Sequence, residues 1–233
     1  MGIALEDRLI FALDVPTVAE AKALVEKLDD SVNVFKIGLE LFCSGGYFEL
    51  SEWLLSRDKK IFADLKLYDI PATVGRAVAR LSGQGYTFLT VHGDNAVMEA
   101  AAANKGPDMK ILAVTVLTSA NDAYLLEKGY QSSVEALVLK RAAKALEIGC
   151  DGVISSAVEA PRLKSQFGDQ LLVVTPGIRP VGTASQDQKR VVTVEQAFKN
   201  GSDYIVIGRP VRDAVDPAQA AREIQNQIQA VFV

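Results

Sequence analysis

Asp64, Lys66 and Asp69 lie in the run Ala63-Asp64-Leu65-Lys66-Leu67-Tyr68-Asp69-Ile70-Pro71, directly after the apolar pair Ile61-Phe62. A buried strand does not ordinarily finish in Asp-x-Lys-x-x-Asp, because taking carboxylates and ammoniums out of water is costly unless each has a partner. Side chains two apart on a strand share a face, so Asp64 and Lys66 are expected to point together beyond the strand end. Asp14 closes an earlier apolar run and Lys36 lies within another. Four charges of alternating sign are thus expected at one rim. Such a set is either a structural ion-pair ring or a device that keeps a lysine protonated and aimed as a proton donor.

A second group is basic. Thr175-Pro-Gly-Ile-Arg179-Pro and Ile205-Val-Ile-Gly208-Arg209-Pro end two neighbouring apolar runs. Glycine lets a ligand approach the backbone, and arginine grips phosphate oxygens in pairs. A phosphate site is the expectation, against a plain turn carrying an exposed arginine. His92 is the only histidine and reads as a hydrogen-bonded core group rather than a catalyst. Thr118-Ser119 offers hydroxyls that bind a ligand or cap backbone groups. No metal-ligand spacing occurs: Cys43 and Cys150 are the only cysteines, expected as free buried thiols.

These residues need a scaffold that gathers strand ends. Strands are expected at Leu9–Asp14, Asn33–Gly38, Lys60–Lys66, Phe88–His92, Lys110–Leu117, Gly152–Ser155, Leu171–Gly177 and Tyr204–Gly208. Between them, helical periodicity marks Val18–Leu28, Tyr47–Arg57, Thr73–Gln84, Ala96–Asn104, Val134–Ile148, Ala157–Gln166, Val194–Lys199 and Pro217–Ala230. Near-continuous apolar strands joined by helical crossovers imply a parallel sheet covered on both faces. Eight such units in 233 residues predict one α/β domain over residues 1–233, a closed (β/α)8 TIM barrel with its site at the C-terminal strand ends. An open doubly wound sheet would want a glycine-rich turn after the first strand, and Asp14-Val-Pro-Thr is not one. The long connections Thr118–Ser133 and Ile178–Thr193 lie on the expected active side, where such loops serve as lids or as surface decoration.

Composition bounds the rest. The chain is 49% hydrophobic and 23% charged, with net charge −4, so no global attraction to nucleic acid or anionic membrane is expected. The segment Met1 to Arg8 has neither a basic n-region nor an apolar h-region. No apolar stretch approaches the roughly 20 residues of a membrane span.

The motifs Phe11-Ala-Leu-Asp14, Phe35-Lys36-Ile-Gly38, Asp64-Leu-Lys66-Leu-Tyr-Asp69-Ile-Pro-Ala-Thr73, Val114-Thr-Val-Leu-Thr118-Ser, Thr175-Pro-Gly-Ile-Arg179-Pro, Asp187-Gln188-Lys-Arg190 and Ile207-Gly208-Arg209-Pro together resemble the orotidine 5′-monophosphate decarboxylase family from Leu9 to Pro217. Asp-x-Lys-x-x-Asp alone is shared with sugar-phosphate decarboxylases and aldolases on the same barrel; the other motifs point to the pyrimidine enzyme. The resemblance implies Lys66 as proton donor in a charge array with Lys36, Asp64 and Asp69. It implies ribose contacts from Asp14 and Lys36, a pyrimidine contact from Thr118, and binding by Arg179, Gln188, Gly208 and Arg209. It further implies that Asp69 and Thr73 reach into a neighbouring subunit's site, hence a homodimer with shared sites that uses no cofactor or metal; the free thiols lead to the expectation of a cytoplasmic protein. A loop at Val181–Lys189 would close over the substrate. The alternative is a Mg-dependent sugar-phosphate decarboxylase or aldolase, for which Glu40 is the nearby candidate carboxylate.

Overall fold

Eight parallel strands pair in chain order, and the last returns to the first: β1 Leu9–Ala12, β2 Val34–Gly38, β3 Lys60–Leu67, β4 Phe88–His92, β5 Lys110–Val114, β6 Gly152–Ile154, β7 Leu172–Pro176 and β8 Tyr204–Ile207. The computed structural model describes residues 2–179 and 192–232. The expected closed barrel is therefore the observed one. Helices α1 Val18–Leu28, α2 Leu39–Cys43, α3 Tyr47–Leu55, α4 Pro71–Ser82, α5 Asn95–Asn104, α6 Asp122–Glu127, α7 Val134–Ile148, α8 Ala160–Phe167, α9 Val194–Lys199, α10 Arg209–Arg212 and α11 Pro217–Phe232 alternate with the strands.

Period-two alternation sorts the strand residues into two cores. Ile10, Val34, Phe62, Phe88, Leu112, Ile154, Val174 and Tyr204 fill the barrel. Phe11, Phe35, Ile61, Leu89, Ile111, Val153, Val173 and Ile205 point outward under the helices. Burying each such side chain contributes roughly 1.5–3 kcal/mol. Inside, the Phe88 ring meets Phe62 edge-on at 5.9 Å and Tyr204 at 5.1 Å. Ala12 pairs with Lys36, Lys36 with Phe62, and Gly38 with Asp64. Continuing the inward set past the apolar layers therefore delivers Lys36 and Asp64 to the C-terminal mouth. At Gly152 a Cβ would lie 2.6 Å from the Leu172 carbonyl oxygen, so only glycine lets β6 and β7 approach there.

The opposite mouth is also charged but is used structurally. Asp151 accepts the Ile111 amide at 2.8 Å and pairs with Lys105 at 2.5 Å. Asp203 repeats the device, accepting the Val173 amide at 2.7 Å and pairing with Lys164 at 2.9 Å. Each carboxylate staples the start of a neighbouring strand.

Several boundaries differ from the sequence reading. β5 ends at Val114 rather than at residue 117 because Thr115 turns its hydroxyl onto the Ile154 carbonyl at 2.9 Å. Helix α8 begins at Ala160 rather than at residue 157, since Glu159 folds back to accept the Ser156 amide at 3.0 Å. The 118–133 connection holds the short helix α6, capped by Asn121 on the Tyr124 amide at 2.9 Å. Cys43 is exposed at the end of α2, not buried as expected. Cys150 is buried, and burial with the nearby Asp151 pushes its thiol up to about 12 against the pull of Lys105. No helix among the described residues is long and apolar enough to cross a membrane.

Candidate active site

The Lys36 ammonium lies 2.8 Å from Asp14 Oδ1 and 3.6 Å from Asp64 Oδ2. The Lys66 ammonium lies 2.8 Å from both Asp64 oxygens. Thr90 donates its hydroxyl to Asp64 Oδ1 at 2.9 Å. The Asp64 side chain is only 13% exposed, whereas Lys66 is 36% exposed and opens toward the cavity. Burial opposes the charge on Asp64. The two lysines and the Thr90 hydroxyl outweigh it, holding the carboxyl below its ordinary value. The result is a carboxylate that stays ionised while it orients an ammonium.

Strict alternation does not produce this contact. The β3–β4 register slips between Ala63 and Leu67, and Lys66 has φ +47°. A left-handed non-glycine residue costs about 1–2 kcal/mol. The bulge turns the lysine back over Asp64, and bulges of this kind re-aim side chains beside active sites.

The array borders two adjoining cavities. Phe62, Val114, Val116, Leu117, Thr118 and Ile154 wall a cavity of about 300 Å³ around Asp64 and Lys66. A neighbouring cavity of about 390 Å³ shares Asp14, Lys36, Pro176 and Val206 with it and reaches Gly177, Arg179, Gly208, Arg209 and Arg212. One end thus presents fixed ammoniums and carboxylates beside apolar walls, and the other presents three arginines. A ligand with an anionic tail and a flat polar head matches that division.

The comparisons with known proteins agree. The sequence pattern described as the orotidine 5′-phosphate decarboxylase / HUMPS family matches residues 7–224. The chain belongs to that family. It is 58% identical over 231 residues to the orotidine 5′-phosphate decarboxylase of Methylococcus capsulatus, covering 99% of this chain and 95% of the relative. It is 50% identical over 223 residues to that of Rhodopseudomonas palustris, covering 95% and 94%. A solved orotidine 5′-phosphate decarboxylase from Lactobacillus acidophilus superposes with a TM-score of 0.84 at 35% identity, covering 95% of this chain and 99% of that one.

Of the residues that the family resemblance singled out, Asp14, Lys36, Asp64 and Lys66 meet in one array. Thr118 lines the cavity beside them, while Arg179, Gly208 and Arg209 line the adjoining one. Asp69 is not in its own chain's array. It is exposed, and its carboxylate accepts the Ile70 amide at 2.6 Å. Thr73 lies nearby on α4, accepting a 3.4 Å contact from Arg76. Gln188 and the 181–189 loop fall outside the described residues.

Three further residues were given no role in the sequence reading. Thr90 is wholly buried against Asp64; its position two before His92, on the inward face of β4, was the available signal. Arg212 lines the arginine end and donates to the Asp14 carbonyl at 2.8 Å while engaging Asp213 at 2.6 Å. Gly38 makes room: a Cβ there would lie 3.3 Å from the Lys36 Nζ and 3.9 Å from Asp14 Oδ1. His92 is half-buried, packs its ring 4.3 Å from Tyr68, and leaves its buried Nδ1 without a partner among the described residues. It was expected to be hydrogen-bonded, and at Nδ1 it is not.

Proposed function

We propose that this protein decarboxylates orotidine 5′-monophosphate to uridine 5′-monophosphate and CO2, a step of pyrimidine biosynthesis. The observation that carries the reading is the pair of adjoining cavities, sharing Asp14, Lys36, Pro176 and Val206, that set the Asp64–Lys66 pair beside the Arg179–Gly208–Arg209 end, in a chain of this family. The phosphate would bind Arg209, Arg179 and the Gly208 backbone, to which the family resemblance adds Gln188. Asp14 and Lys36 would take the ribose hydroxyls, and Thr118 the pyrimidine.

The C6 carboxylate would then lie beside Asp64 and Lys66. The C6–carboxylate bond breaks with its electron pair left on C6, and CO2 departs. No adjacent carbonyl can absorb that pair, so the fixed Lys66 ammonium stabilises it and transfers one proton from Nζ to C6. The neutral amine regains its proton from water. Grip on the remote phosphate supplies binding energy that helps hold the carboxylate beside Asp64.

The exposed apolar residues Tyr68 (65% exposed) and Ile70 (66% exposed) flank Asp69 at the rim. Their burial in a homodimer would carry Asp69 and Thr73 into the partner's site. The protein is read as cytoplasmic and cofactor-free, without nucleic-acid or membrane partners. The Mg-dependent sugar-phosphate reading is not supported, and Glu40 is exposed on α2 with no cluster of three metal-ligating groups among the described residues.

Loss of the orotidine monophosphate absorbance on adding the purified protein, undiminished by EDTA, is the expected result. An inert protein would overturn the assignment, and EDTA-sensitive turnover of a sugar phosphate by that inert protein would return the metal-dependent alternative.

A further inference from the structure

We propose that Thr90 is a positioning residue for Lys66: its hydroxyl holds the Lys66 backbone and the Asp64 carboxylate at once. The inference deepens the decarboxylase reading and rests on Lys66 as proton donor.

Ala63 pairs with Leu89 and Leu67 with Val91. Three residues of β3, Asp64, Leu65 and Lys66, therefore stand opposite Thr90 alone. A bulge of this size breaks the backbone ladder and leaves amides to be satisfied in another way. The Lys66 amide donates to Thr90 Oγ1 at 2.9 Å, and Thr90 Oγ1 donates to Asp64 Oδ1 at 2.9 Å. A hydroxyl has one hydrogen. With that hydrogen on the carboxylate, the oxygen lone pairs face the Lys66 amide, so the two bonds set each other's direction.

Thr90 is 0% exposed, and solvent does not compete for either bond. Lys66 meanwhile sits at φ +47°, a conformation that persists only where its surroundings over-determine it. Thr90 supplies that constraint from the backbone side and Asp64 from the ammonium side. The charged groups facing Asp64 are Lys36 on β2 and Lys66 on β3, and the Tyr47 phenol donates elsewhere, to the Ile37 carbonyl at 3.4 Å. None of them touches the Lys66 amide, so they cannot replace the hydroxyl there.

Thr90→Val keeps the side-chain shape and removes both bonds, whereas Thr90→Ser keeps the hydroxyl. In the full-length protein, kcat of Thr90→Val should fall on the order of tenfold to a hundredfold through misplacement of the donor. KM should stay within about twofold, because the arginine end is untouched. Its acid limb of kcat against pH should move upward, since Asp64 loses a hydrogen bond to its ionised form. Thr90→Ser should restore kcat and the acid limb. Independently of turnover, hydrogen exchange at the Lys66 amide should be slow in wild type and Thr90→Ser and fast in Thr90→Val. If Thr90→Val does not fold, Thr90→Ser decides: near-native kcat with a slow Lys66 amide supports the assignment, and loss of either overturns it. Wild-type kcat and a slow Lys66 amide in Thr90→Val would overturn this inference alone, whereas a wild-type protein without turnover would overturn the decarboxylase reading.

Discussion

Asp64 offers both carboxylate oxygens to the Lys66 ammonium, each at 2.8 Å, across a β-bulge that puts Lys66 at φ +47°. Backbone strain and two opposite charges are thereby concentrated within three consecutive residues of β3, with the buried Thr90 hydroxyl facing them from β4. Structural ion pairs elsewhere in the barrel, such as Lys105–Asp151 and Lys164–Asp203, staple regular strand starts and involve no left-handed residue.

Lys66→Ala should lower kcat by at least about a thousandfold, the combined effect of losing the proton donor and the charge facing C6. Binding of uridine monophosphate, measured by calorimetry, should persist because the arginine end is untouched. Retention of more than about one per cent of activity would contradict the role of Lys66 as donor.

Arg209→Ala should weaken kcat/KM roughly a hundredfold, the effect of about 3 kcal/mol lost from a charge-assisted grip on a dianion. With a substrate truncated at the phosphate, added phosphite should accelerate the wild type far more than the variant. Equal acceleration would mean that Arg209 does not hold the phosphate.

Asp69 is three residues past Lys66 in the chain, yet it lies outside its own chain's array. If the proposed dimer shares its sites, the Lys66→Ala and Asp69→Ala proteins should each be nearly inactive. Random subunit exchange makes half the dimers hybrids, and in each hybrid one site draws both native residues. Activity should then recover to about a quarter of wild type. Exchange seen by native mass spectrometry without recovered activity would rule out shared sites.

Gly38→Ala should crowd the Lys36 ammonium, because the new Cβ lies 3.3 Å from it. The variant should remain folded by circular dichroism and lose affinity for the ribose end, seen as a raised KM. An unchanged KM would show that Lys36 moves aside without consequence.

His92 should titrate below its ordinary value, because burial disfavours its charged form and Arg141 repels it, with Asp94 opposing. A histidine with a lowered folded pKa contributes stability that is fully present above its unfolded value. That contribution is lost as pH falls toward the lower folded one. As the only histidine, it gives one unambiguous imidazole resonance, whose midpoint by NMR should lie below that of a histidine in a model peptide. A midpoint at or above that value would contradict the burial assigned to it.

The amino-acid sequence alone determined the barrel, because strand and helix periodicities are local and eight alternating units leave few ways to bury both sheet faces. It also determined that Asp14, Lys36, Asp64 and Lys66 would share a mouth, since period-two alternation fixes the face each strand residue takes. Tertiary structure decided the contact itself. Nothing local in Asp64-Leu65-Lys66 announces a register slip, because a bulge is a relation between two strands and is set by what β4 offers opposite it. For the same reason Thr90 passed unnoticed: an inward threonine on an apolar strand reads as core until a carboxylate is placed 2.9 Å away. Arg212 likewise acquires meaning only through a partner distant in the chain, the Asp14 carbonyl 198 residues away, and Gly38 only through the way the Lys36 side chain, two residues back, folds over it.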